Sequence, residues 1–153
     1  NEVAYASSLN NLAGACMAMG QLDEAEAYLK EALTIYSTTV GKKHPLYMTA
    51  LSSLAGLYFK KGNYCRAEAF YEDAINLYEL AYGVLHRDYG AAADNLRIVC
   101  ERMGRLDEAI KYGLKAATTY LKIFDADHPD CIRSLEVLAK LQKEKDAANT
   151  QQA

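Results

Sequence analysis

Residues 9–36 read LNNLAGACMAMGQLDEAEAYLKEALTIY, and residues 51–78 read LSSLAGLYFKKGNYCRAEAFYEDAINLY. The second stretch is the first one moved 42 positions along the chain. Outward from it the register holds: Leu12, Leu54, Leu96 and Leu138 form one series, Gly20, Gly62 and Gly104 another. Ala25, Ala67 and Ala109 follow, then Ala32, Ala74 and Ala116, then Tyr36, Tyr78 and Tyr120, and even His44, His86 and His128 are register mates. Self-similarity at a fixed period marks stacked supersecondary units rather than one globular core. A side chain that recurs in every unit builds the unit, so function belongs where the units differ.

Within the first unit Leu9, Leu12, Ala13 and Cys16 form one apolar stripe at helical spacing, and Gly20 stands where that helix needs a stop. Asp23 and Glu24 then open a second helix, where acidic side chains complement the macrodipole, and its stripe is Ala25, Tyr28, Leu29, Ala32, Leu33 and Tyr36. Gly41 ends the unit and His44-Pro45 begins the next, with proline at a first helical position. Each unit is thus a helical hairpin with arms of about 16 to 18 residues, roughly 25 Å long. Alanines at 13, 25 and 32 let the arms approach closely, and Tyr36, Tyr78 and Tyr120 are expected to pack between neighbouring units. The reading is an all-α solenoid of stacked helix-turn-helix repeats. A single repeat domain is expected over residues 1–145, with units at about 3–43, 44–85 and 86–127, a closing helix at 128–145, and a disordered polar tail at 146–153.

Composition narrows the function classes. Half-hydrophobic content (51%) with 24% charged residues suits a folded chain, and 17 basic against 20 acidic side chains leaves no global field for nucleic acid. Twelve tyrosines mostly obey the repeat, so packing explains them better than base stacking. No apolar run approaches the roughly 18 residues that span a bilayer, and no signal peptide is read at the start. Cys16, Cys65, Cys100 and Cys131 lack C-x-x-C spacing and read as free structural thiols rather than disulfides or metal ligands, which favours a cytoplasmic setting. The absence of an opening methionine predicts a segment of a longer protein.

Catalysis is not expected. One histidine per unit boundary spaces the imidazoles about a unit apart, and Ser7, Ser8, Ser52 and Ser53 have no histidine and carboxylate at a triad-forming spacing. The glycines are helix stops, not a phosphate loop. No cofactor or metal is expected.

The quoted segments resemble the tetratricopeptide repeat, and more narrowly its 42-residue variety found in kinesin light chains. The resemblance rests on Leu9-Asn10-Asn11-Leu12-Ala13, Gly20, Glu24-Ala25-Glu26, Ala32-Leu33 and His44-Pro45, and covers residues 3–145. It implies a right-handed superhelical solenoid whose concave groove, lined by the first helix of each pair, binds extended peptide segments. It also implies a cargo contact at the second asparagine of LNNL, which carries over to Asn11 and Asn95, with Ser53 in its place in the second unit. The kinesin light chain groove resembles a basic channel for tryptophan-plus-acidic motifs. Here Lys60, Arg102, Arg133 and Lys140 stand against Asp94, Glu101 and Glu136, so a purely acidic groove partner is not expected.

Opposite the apolar stripe lie Asn10, Asn11, Gly14 and Met17 in the first unit, Ser52, Ser53, Gly56, Phe59 and Lys60 in the second, and Asp94, Asn95, Ile98 and Arg102 in the third, with Arg133 on the closing helix. Asparagine amides suit the backbone of an extended peptide, and Met17, Phe59 and Ile98 supply apolar anchors. Gly14 and Gly56 make room either for a ligand backbone or for a packed helix. The third unit is irregular: Ala93 replaces a leucine, Arg97 a small alanine and Gly113 a bulky residue. Arg97 has Asp94 and Glu101 at pairing distances of three and four, and the hairpin reads as a weakened one, a possible hinge. The expected function is a protein-interaction module that binds a partner's peptide segment as cargo adaptor or scaffold. The alternatives are a structural segment that self-associates through its ends, and a sensor coupled to a further domain. Neither nucleic acid nor membrane is an expected partner.

Overall fold

The computed structural model describes residues 1–152, and among these the chain is seven helices without a strand. They are α1 (Glu2–Ala18), α2 (Leu22–Thr39), α3 (Pro45–Lys60), α4 (Tyr64–Tyr82), α5 (Arg87–Arg102), α6 (Leu106–Ile123) and α7 (Pro129–Gln152). The hairpins are α1–α2, α3–α4 and α5–α6, and α7 follows them.

The same local chemistry makes each hairpin turn. Gly20, Gly62 and Gly104 have φ of 77°, 78° and 74°, and the amide after each glycine donates back to the carbonyls of Cys16, Tyr58 and Cys100 at 2.8–2.9 Å. That is a Schellman stop repeated three times, at a position only glycine occupies without strain. The three histidines start the next helices. His44, His86 and His128 each accept, through Nδ1, the backbone N–H two residues on, at 3.1–3.2 Å. Each ring therefore serves as an N-cap, with the proton on Nε2.

Two compact units divide the chain, one from Asn1 to Ala81 and one beginning at Tyr82. In the first, Ala6 and Leu9 of α1, Ala32 and Tyr36 of α2, and Ala50 of α3 form one buried cluster. Tyr36 accordingly packs between its own hairpin and the next. In the second, Cys100 of α5, Ala109 of α6 and Leu141 of α7 form another, with Leu106, Ile110 and Val137 against it. The repeat alanines at 25, 32, 67, 74, 109 and 116 are all fully buried, as close helix approach requires.

Two sequence expectations are corrected. Leu12 was placed on the inward stripe but is 50% exposed, whereas its mate Leu54 is 2% exposed. Among the described residues α3 packs against α2, and Leu54 is covered where Leu12 is not. The stretch from Asp146 is not a disordered tail through Gln152, because α7 continues to that residue. Gln142 donates to Asp146 at 3.0 Å, the Thr150 hydroxyl donates to the Asp146 carbonyl at 2.9 Å, and Lys145 pairs with Asp107 of α6 at 2.9 Å. Ala153 lies outside the described residues.

An ionic network ties the first two hairpins together. Glu26 of α2 receives Lys30 at 2.6 Å, Lys61 at 2.7 Å and the Tyr58 hydroxyl at 2.7 Å, and Lys61 also reaches Asp23 at 2.8 Å. The Lys145–Asp107 pair repeats Lys61–Asp23 two periods on. The bonds from Lys30, then Lys61 and Tyr58, hold the Glu26 carboxyl down at about 2 against an ordinary 4.5. A carboxyl depressed in the folded state stabilises fully above its unfolded value, and that contribution is lost as pH falls from about 4.5 toward about 2. Urea unfolding of wild type and Glu26→Gln is therefore expected to show a less stable variant at neutral pH, with the two converging near pH 2. A gap that stays constant across that range would remove Glu26 ionisation from the junction.

Candidate functional site

In the first unit the α1 face opposite the buried stripe presents Asn11 and Gly14 to solvent, with Met17 half-buried beside them. A Cβ added at Gly14 would meet nothing within 4 Å, so this glycine borders open space. Gly56 differs: its Cβ would come 3.3 Å from the Tyr71 hydroxyl, and close packing of α4 on α3 accounts for it. Ser53 is half-buried and turns its hydroxyl back to the Thr49 carbonyl at 3.1 Å. Phe59 stacks at a tilt on Tyr64, ring centres 5.3 Å apart, and Lys60 is exposed in the last turn of α3.

The repeat tyrosines form a rung in each hairpin. Tyr78 of α4 has its hydroxyl 3.5 Å from that of Ser52, and Tyr120 of α6 donates to Asp94 at 3.4 Å. Ser52 and Asp94 are register mates, and Asn10 is the third member of their series. Tyr36, however, bonds to Ser7 at 3.0 Å. Asn10 thus loses the partner its position implies, and its Oδ1 is sealed from solvent without a hydrogen bond. Buried acceptors are nearly always paired, which makes this one an exception.

In the second unit Asn95 and Ile98 are half-buried on α5 and Arg102 is exposed. Asp94 is committed to structure: besides Tyr120 it receives Arg97 at 3.3 Å, while Arg97 also reaches Glu101 at 3.0 Å. Burial first, and then the Asp94 charge, push the Tyr120 hydroxyl far above its usual range. Arg133 pairs with Asp130 at 2.8 Å on α7. Of the residues expected to meet a ligand, Ser52 and Asp94 are primarily rungs, and Asn11, Met17, Asn95, Ile98, Lys60 and Arg102 keep accessible surface. All four cysteines are free thiols, and only Cys65 is exposed.

Two family models, both described as tetratricopeptide repeat, match residues 5–80 and 101–130. The chain belongs to the tetratricopeptide repeat family. No curated protein matches the sequence. Among solved structures it is similar to a Podospora anserina protein described as a kinesin light chain with nearly identical TPR-like repeats. That match has 21% identity, TM-score 0.79, and covers 92% of this chain and 66% of that one. It is also similar to BtubC (BKLC) of P. vanneervenii, at 17% identity and TM-score 0.85 over 94% of this chain and 57% of that one. A third is the apo form of RapI, at 15% identity and TM-score 0.82 over 98% and 53%. The chain spans between about half and two thirds of the length of these structures.

Against the tetratricopeptide pattern the third hairpin proves compensated. In the first two hairpins the pairs are Ala13 with Leu29 and Ala55 with Tyr71, small on the first helix and large on the second. The third inverts them to Arg97 with Gly113. A Cβ at Gly113 would lie 3.2 Å from the Arg97 Cδ and 3.1 Å from a Leu138 methyl, so the arginine stem fills the space the missing side chain leaves. The guanidinium is satisfied by two carboxylates and its side chain is only 12% exposed. This exchange of volume is a physical reason against weakness. What sequence reasoning missed lies on α6, where Lys111, Lys115 and Lys122 flank an apolar cleft of about 550 Å³.

The swap is testable as a cycle. Gly113→Leu alone overpacks the site and is expected to cost about 1–3 kcal/mol. Arg97→Ala alone opens a void and strips two carboxylates of their partner. The double variant restores the small–large order of the other hairpins, and its cost in urea unfolding is expected to be smaller than the sum by about 1 kcal/mol or more. Additive costs would show that the two positions do not share space.

Proposed function

We propose that the first-helix faces bind an extended peptide segment of a partner protein. Tetratricopeptide repeats make the chain a protein-interaction or scaffold module, of a fold that is typically non-catalytic. The observation that carries the finer reading is on α1. Exposed Asn11 follows Asn10, whose acceptor oxygen is buried and unpaired, and lies one helical turn before Gly14, where a Cβ would meet open space. An extended backbone offers alternating N–H and C=O groups, which is what such a pair of amides can satisfy. Met17 in the first unit and Ile98 in the second offer apolar contact beside Asn11 and Asn95. Lys60 and Arg102 add charge at the ends of α3 and α5.

The role this supports is a cargo adaptor or scaffold of micromolar affinity, about −8 kcal/mol, in a reducing, cytoplasmic setting that suits four free thiols. The solved kinesin light chain relative gives the adaptor reading its direction and nothing more specific. Self-association through the ends of the repeat series is the alternative.

Binding to an arrayed peptide library, repeated with an Asn11→Ala, Asn95→Ala double variant, separates the two. A consensus sequence that the variant loses at unchanged helicity is the expected outcome. No binding above background at tens of micromolar, together with concentration-dependent mass in ultracentrifugation, would replace peptide capture with self-assembly.

A further inference from the structure

The second helix of the third hairpin carries a surface that the peptide reading does not use. Asp107, Lys111, Leu114, Lys115, Thr118 and Lys122 of α6 fall on one helical stripe and line one side of the 550 Å³ cleft. The opposite wall is the segment before α5, Val84 and Leu85, with Tyr89 beyond it. The Thr119 hydroxyl fastens that wall to α6 by donating to the Val84 carbonyl at 2.9 Å. Leu114 is 57% exposed, Leu85 55% and Val84 44%, an apolar area that a folded surface rarely leaves without purpose.

The charge around this floor has one sign. Among the described residues Lys111, Lys115 and Lys122 pair with no carboxylate; the first two only lie over the Tyr112 ring, each 5.6 Å from its centre. The sole acidic residue of the lining, Asp107, is already neutralised by Lys145. Nor is the feature a by-product of the repeat. The register-equivalent cleft of the first unit is about 300 Å³, is lined by Leu51 and Leu77, and has Asp73 where α6 has Lys115. The mates of Lys111 and Lys122 are Ala69 and Leu80.

From the cationic rim and apolar floor of this cleft we infer that α6 is a second docking surface, whose occupant is an acidic amphipathic helix of a partner protein. The cations span twelve residues of α6, Lys111 to Lys122, roughly 16 Å, which matches carboxylates distributed along a peptide rather than one anionic head group. An extended segment is disfavoured by the same floor. It would lay its backbone N–H and C=O groups on Val84, Leu85, Ile110 and Leu114, and the hydroxyl of Thr119 is already spent. A helix satisfies its own backbone and needs only an apolar stripe with acidic flanks. The surface is therefore distinct in ligand class from the amide-bearing first-helix faces.

The test is a displayed library of peptides selected on the full chain, with counter-selection on a Lys111→Glu, Lys115→Glu, Lys122→Glu variant. The three lysines are exposed or solvent-facing, and circular dichroism of the variant checks that its fold is intact. Peptides enriched by wild type are expected to carry leucine-type anchors at helical spacing flanked by Asp or Glu. They should gain helicity on binding, lose roughly tenfold or more in affinity to the charge variant, and lose similarly to Leu114→Asp. Enriched peptides that lack acidic residues, bind the charge variant equally, or are lost instead with Asn11→Ala, Asn95→Ala would overturn the assignment. So would an empty selection while sodium oleate saturates the wild-type cleft and not the charge variant, since that outcome makes it an amphiphile site.

Discussion

The close approach of two helices at side chains that are barely there is what the rest of this protein depends on. At Ala25, Ala32 and their mates in the next two hairpins, each side chain is wholly buried, and the helix axes come together because nothing larger holds them apart. Hairpins so formed bury one face each and present another, and in the first unit α3 covers part of what α1 and α2 leave. The large side chains then adjust to the contact: Tyr71 presses on Gly56, Tyr120 on Gly90, where a Cβ would sit 2.8 Å from its ring, and Arg97 on Gly113. In each case a big group fits because its neighbour is reduced to hydrogen. The third hairpin shows that which helix supplies the bulk is open, provided the sum of volumes at the contact holds.

That rule also explains what was legible in the sequence. Hairpin boundaries were, because glycine at a left-handed stop and histidine or proline at a helix start are local chemistry visible in one chain. The exposure of Leu12 and the end of α7 were not: α7 depends on partners, Lys145 on Asp107 of α6, and Asp146 on the Gln142 amide and the Thr150 hydroxyl. The Arg97–Gly113 exchange looked like two separate defects because the positions are sixteen residues apart in sequence and touch only in space. Of the candidate binding residues, Asn11 and Lys60 were readable as surface. Ser52 and Asp94 were not distinguishable as rungs, because their tyrosine partners lie on another helix. The α6 cations had a signal in the sequence, three lysines absent from the equivalent positions of other units, but it stood on the helix that the repeat pattern treats as scaffold.

The molecule thus offers two surfaces of unlike chemistry built from one motif. The first-helix faces proposed to take a peptide carry amides and hydroxyls, with open space over Gly14 of α1, groups able to pair with a main chain. The second helix of the third hairpin carries ammonium groups around aliphatic side chains, which engage an apolar stripe with acidic edges. The difference follows from what each face must do in the hairpin. A first-helix face is bounded by rungs whose hydroxyls need partners, so polar residues gather there. The outer face of α6 has no such duty, and its composition is unconstrained by packing, as the change from Asp73 in α4 to Lys115 in α6 shows.

The tyrosine rung shows how architecture and recognition meet at one position. Three register mates face three equivalent tyrosines: Ser52 and Asp94 take the hydroxyl, and Asn10 does not, because Ser7 takes it first. In the other hairpins the place of Ser7 is held by Thr49 and Ala91. One serine a helical turn away therefore releases Asn10 from the rung and leaves a buried acceptor beside exposed Asn11. A hairpin needs its tyrosine hydroxyl satisfied but is indifferent to which residue does it. That indifference lets a single substitution on α1 convert a structural position into one with an unspent hydrogen bond, without disturbing the packing of Tyr36, which stays 1% exposed.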